Sequence, residues 1–191
     1  MDITTLVTTI ILLASIFMYT EGFSMEVSYV RSNIDGHRYL VRNLEDKVVA
    51  ADTLAQLRKQ LTSFVHDIKK AYPNNTAVSR LMSKFRPYNL TESSSDSKFT
   101  SYSVNKGEKI VFCLRQRDES GKLVQLNTLM FVALHELAHI MTVSIGHSKE
   151  FWTNFRFLLK FALKRNYYQY QPFHTKPEPY CGTMITDTPL K

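Results

Sequence analysis

Three histidines fall within thirteen residues of this 191-residue chain: His135, His139 and His147, with Glu136 directly after the first. On a helix, residues four apart project from one face, one turn above the other. That spacing lets the rings of His135 and His139 reach a single zinc ion at about 2.0–2.1 Å. Glu136 stands beside the first ring, placed to take a proton from a water at the metal as general base and pass it to a leaving amine. A catalytic zinc site needs a third protein ligand and one open position. His147 is the leading candidate, because a turn at Gly146 would end the helix and swing the chain back, with Phe151 and Trp152 anchoring the arrangement. Glu150, one turn further on, competes for the same role. The expected chemistry is zinc-dependent hydrolysis of a protein or peptide substrate. The alternative is a zinc module that only stabilises a fold or a partner surface, where a base beside an open position would have no use.

Those side chains need elements to hold them. Asn127 is a fair N-cap for a helix running to about Ile145 and stopped by Gly146. Its apolar residues 130–134 would bury it and turn the His-Glu-His face toward a cleft. Ser148 caps a further helix to about Arg165, with Phe151, Trp152, Phe155, Leu158, Leu159 and Ala162 on the buried side. Upstream, residues 27–41 read as a hairpin around Asn33-Ile34-Asp35-Gly36. Leu54, Leu57, Leu61, Phe64, Val65 and Ile68 predict a helix over 47–72, stopped by Pro73, and residues 77–85 predict a short one. Residues 91–98 read as a solvated loop. A second hairpin, 99–104 and 109–114, turns at Asn105-Lys106-Gly107-Glu108, and its continuously apolar second strand should be central. From about 167 the chain carries four of its six prolines and reads as an irregular tail. The fold class is therefore α+β, with a small mixed or antiparallel sheet packed on helices.

Hydrophobic residues make up 44% of the chain and charged residues 21%, enough to bury a core and exclude disorder by composition. The net charge of +7 permits anionic partners without demanding them. Two cysteines are too few for a disulfide framework or a four-cysteine zinc site. Residues 3–19 carry no charge, and as a helix they would cover about 25 Å against a hydrocarbon core of roughly 30 Å. With no basic residue before the segment and Arg31, Arg38 and Arg42 after it, residues 1–23 are expected to be a membrane anchor with the N-terminus outside. Residues 24–191 would then form a cytosolic peptidase domain, in keeping with two unpaired cysteines. A cleaved signal peptide and a core helix are the competing readings.

His37, His66 and His174 are scattered and read as surface residues. Cys113 reads as a strand core residue. Tyr180-Cys181-Gly182 is a compact turn, either packed in the tail or returning to the cleft, where the Tyr180 hydroxyl could meet a tetrahedral oxyanion. Lys160, Lys164 and Arg165, followed by Tyr167, Tyr168 and Tyr170, could contact nucleic acid by charge and stacking. A solvated helix end explains them as well.

The run His135-Glu-Leu-Ala-His139, followed by Gly146-His147-Ser-x-x-Phe151-Trp152, resembles the SprT/WLM-type zinc metallopeptidases, a minimal gluzincin-like group, and most nearly the WLM-like proteins of large DNA viruses. The resemblance is strong over residues 129–159 and spans 27–165 at most. It implies a zincin-like fold built round the motif helix, zinc on His135, His139 and His147, and Glu136 as catalytic base. The seven residues between His139 and His147 leave WLM and SprT both open as the subfamily. Action on nucleic-acid-associated proteins is a further implication, with which a membrane anchor sits poorly.

Overall fold

A computed structural model describes residues 2–190, the side chains of 20–25 excepted. Helix α1 (Ile3–Glu26) begins at Asp2, whose side chain accepts from the Thr5 N–H, and leaves its side chains exposed as far as Tyr19. The hydroxyls of Thr8, Thr9 and Ser15 donate back to carbonyls one turn earlier. Among the described residues no helix is long and apolar enough to cross a membrane. This overturns the expected anchor, with its outside N-terminus and cytosolic domain. The uncharged run is short for the bilayer core, and its threonines dilute it.

After α1, strands β1 (Val27–Arg31) and β2 (Arg38–Arg42) form the expected antiparallel hairpin. Asp35 in its turn accepts from the Tyr39 hydroxyl and from Arg58 on α2 (Lys47–Ala71), tying the hairpin to that helix. The leucine-rich stripe of α2 is buried, and α3 (Thr76–Lys84), capped by Asn75, packs beside it.

The second sheet is mixed. Its order is β3 (Leu90–Glu92), β5 (Lys109–Phe112), β4 (Ser101–Val104), with β3 parallel and β4 antiparallel to the central β5. The sequence reading of 91–98 as solvated loop is corrected at its first residues. Glu92 is buried, accepting from the Arg42 N–H at 2.7 Å and from Arg115 Nε at 2.9 Å.

Helix α4 (Leu126–Met141) carries the motif and is buried almost all round, between α5 (Lys149–Lys164) on one side and α2, α3 and β4 on the others. Its start is not capped by Asn127, whose amide instead exchanges two hydrogen bonds with the Gln169 backbone. The tail is not wholly irregular either: β6 (Glu178–Tyr180) and β7 (Thr183–Ile185) pair antiparallel. Cys181, in the turn between them, forms a disulfide with Cys113 just past β5. The two cysteines are therefore paired, and the expectation of free thiols falls. The result is an α+β fold of small sheets on helices, with α4 at its centre.

Candidate metal centre

Helix α4 stops at Met141, four residues before the end that Gly146 suggested. The carbonyls left unpaired at a helix end need partners, and here they come from distant side chains. Arg80 Nη1 donates to Met141 O, and Lys106 Nζ donates to the carbonyls of Thr142, Val143 and Ser144 at 2.7, 2.7 and 2.9 Å. The Thr142 hydroxyl, bonded to Ala138 O, also accepts from Asn154 on α5. Gly146 does adopt the left-handed conformation expected of it, at φ +76°, but in the loop directly before His147.

This loop brings His147 over the motif. His135 Nε2 lies 3.2 Å from His139 Nε2 and 3.1 Å from His147 Nε2, and the three potential ligand atoms all fall within 4.8 Å of one another. Nitrogens at about 2.05 Å on a tetrahedral metal stand about 3.3 Å apart, close to the two separations from His135, and three imidazoles are a donor set that suits zinc. Phe151, fully buried, forms the floor: its ring centroid lies 4.3 to 4.8 Å from all three imidazoles. Trp152 leans on His147 at 5.6 Å. Both aromatics thus pack against the histidines, although Trp152, expected on the buried side of α5, is exposed.

Electrostatics favour the ligand form of the rings. Burial, then the neighbouring His139 and His147, depresses the His135 pKa to about 3, and burial, His147 and Lys106 bring His139 down to about 4. Both rings are neutral at ordinary pH, with lone pairs free for a cation. Glu136 is buried, and burial raises its carboxyl pKa to about 7. A carboxyl poised there can both accept and return a proton.

The histidines and Glu136 line a cleft of about 670 Å³. Strand β4 contributes Ser101 and Tyr102 to one wall, and the β6–β7 hairpin contributes Tyr180, Thr183 and Ile185. So the Tyr180-Cys181-Gly182 turn does return to the cleft. The Tyr180 hydroxyl sits 2.6 Å from Ser101 Oγ, and burial pushes its phenol pKa up.

Glu150 is not gathered with the three imidazoles. Its carboxylate accepts from the N–H groups of Val143 and Ser144 and from the Ser144 hydroxyl, clamping the loop that carries His147. His66 and His174 are exposed, and His37 packs edge-on against Tyr39 and Tyr88, away from the cleft. The tyrosine row after α5 is mostly committed elsewhere: the Tyr167 hydroxyl donates to Asp67 and Tyr168 is buried, leaving only Tyr170 of the three fully exposed. Lys106, the Glu150 clamp and the disulfide-held wall escaped sequence reasoning. The one local signal for Lys106 was its place in the Asn105-Lys106-Gly107 turn.

The WLM domain family model matches residues 47–176, a span that holds α2 through α5 and every residue of the centre. The chain belongs to the WLM family. Uncharacterized protein R325 of Acanthamoeba polyphaga mimivirus is 34% identical over 187 residues, covering 95% of this chain and 94% of that one. Uncharacterized protein 042R of Invertebrate iridescent virus 3 is 44% identical over 68 residues, 36% of this chain and 42% of the relative. Among solved structures, Wss1 from Saccharomyces cerevisiae is similar at a TM-score of 0.48 and 19% identity, over 66% of this chain and 88% of that one. The WLM-like family resemblance read from the motif is thus borne out, with viral proteins among the relatives.

Proposed function

We propose that this WLM-family protein is a zinc-dependent peptidase in which His135, His139 and His147 hold the ion through Nε2 and Glu136 is the general base. The observation that carries the reading is the convergence of three imidazoles beside a buried carboxyl in an open cleft. Bound there, zinc would supply Lewis-acid polarisation of a peptide carbonyl and acidify a water. Glu136 takes the proton from the attacking water as its oxygen adds to the carbonyl carbon. The same carboxyl then delivers that proton to the amide nitrogen as the C–N bond breaks, so the amine leaves neutral. Its raised pKa suits both halves of that cycle. Strand β4, at the edge of its sheet, lines the cleft where a peptide substrate would enter.

The test is Glu136→Gln. Wild-type protein loaded with zinc should cleave an unfolded protein substrate, and the variant should keep its zinc and lose cleavage by several orders of magnitude. Cleavage that survives in Glu136→Gln removes the base assignment. A wild type that binds zinc tightly yet cleaves nothing in a broad substrate panel points instead to the non-catalytic zinc module.

A further inference from the structure

We propose that Lys106 is a positioning residue for the third metal ligand, holding His147 in place through the backbone of residues 142–144. The inference rests on the zinc reading above and adds to it a residue outside the ligand set and outside α4.

The turn that presents Lys106 is conformationally demanding. Asn105, Lys106 and Gly107 have φ values of +46°, +52° and +112°, so two residues with side chains occupy the left-handed region in succession. Asn105 Nδ2 donates to Glu108 Oε2 at 2.6 Å, and the N–H groups of Gly107 and Glu108 both donate to Val104 O. Gly107 is wedged between two helix ends: an added Cβ would lie 2.8 Å from Lys84 O and 3.1 Å from the Ile140 side chain. Backbone held in such regions persists only where its surroundings over-determine it, and it concentrates at functional sites.

What the turn achieves is the aim of one ammonium. Lys106 Nζ has three protons, and it directs them at the three consecutive carbonyls of Thr142, Val143 and Ser144. With its donors so committed, it is a poor candidate for a substrate-binding cation, although it lines the cleft. Glu150 in turn accepts from the N–H groups of Val143 and Ser144. The loop is therefore gripped on its carbonyls by a cation and on its amides by an anion. His147 follows after Ile145 and Gly146, exposed and on no helix or strand. The grip on this loop, together with the start of α5 at Ser148, sets where its imidazole stands.

The experiment measures zinc affinity by chelator competition, together with the visible spectrum of the cobalt-substituted full-length protein. Lys106→Met should weaken zinc by 10- to 100-fold, the usual cost of losing support behind a ligand, and should alter the cobalt bands as the third ligand loosens. Lys106→Gln, which keeps two N–H donors without the charge, should fall between Met and wild type. It serves also if Lys106→Met does not fold. Because the effect acts through His147, adding Lys106→Met to His147→Ala should cost little further zinc affinity. Unchanged affinity and spectrum in Lys106→Met overturn the inference and leave the zinc reading standing. So does an equal loss with and without His147. A wild type that binds no zinc ends both.

Discussion

His147 Nε2 lies 3.1 Å from His135 Nε2, although twelve residues separate them and His147 belongs to no regular element. Two imidazoles gain little from such an approach beyond one hydrogen bond, whereas a shared cation makes good use of it. His147→Ala should therefore lower zinc affinity by orders of magnitude in a chelator competition. Its effect on the melting temperature of the metal-free protein should be small, since the ring is exposed. Glu150→Gln separates ligand from clamp. It should loosen the loop and weaken zinc modestly, because the single amide oxygen still accepts from one of the two N–H groups, Val143 or Ser144. A Glu150→Gln loss as deep as that of His147→Ala would return Glu150 to the ligand set.

The disulfide carries a second expectation. Cys113 and Cys181 close a loop of 68 residues and pin the β6–β7 hairpin, which forms one wall of the cleft. Gln116 adds hydrogen bonds to Pro179 O and from the Cys181 N–H. Constraining an unfolded chain over such a loop stabilises by about 4 kcal/mol in the chain-entropy account. Urea denaturation of Cys181→Ser should show a loss of this order, and the oxidised wild type treated with a dithiol should match the variant.

Much of the framework was legible because it is local. The stripe from Leu54 to Ile68, the hairpin around Gly36 and the Ser148 cap are written in contiguous residues, and so is the His135–His139 pair. What escaped depends on partners far along the chain. Glu92 looked like part of a soluble loop until Arg115, 23 residues on, covered its charge. Helix α4 was drawn too long because its end is set by Lys106 and Arg80, 36 and 61 residues away, and local sequence gives no sign of either bond. Pairing of the two cysteines likewise depends on the tail folding back over β5. The N-terminal reading failed differently: an uncharged run was extended to a span that the described residues do not supply.

Acid should unlock the β1–β2 turn. Burial alone would raise the Asp35 pKa, but hydrogen bonds from the Tyr39 hydroxyl and the His37 N–H, with the Arg58 guanidinium, lower it overall from 3.8. A carboxylate whose folded pKa is depressed contributes stability that is present above its unfolded value and lost as pH falls through the folded one. Asp35→Asn should be less stable than wild type near pH 7, and the two should converge below about pH 3.8. Parallel melting curves down to pH 2.5 would refute this.

Two glycines with positive φ give the last prediction, because they differ in what surrounds them. Gly121, at φ +53°, has nothing within 4 Å of an added Cβ, so Gly121→Ala should cost only the left-handed conformation, about 1 kcal/mol. Gly107, at φ +112°, combines a backbone that side chains rarely adopt with a Cβ position 2.8 Å from Lys84 O. That oxygen is backbone at the end of α3 and cannot step aside as a flexible side chain would. Gly107→Ala should therefore cost about 2–3 kcal/mol or more, a fall in melting temperature of roughly 4–12 °C for a domain of this size. The strain also acts on Lys106 next to it, so zinc affinity should fall along with stability in Gly107→Ala and stay at the wild-type value in Gly121→Ala. Thermal melting and chelator competition on the two variants measure both effects. Equal costs at the two positions would mean that the 105–107 turn is freer than its packing between α3 and α4 implies.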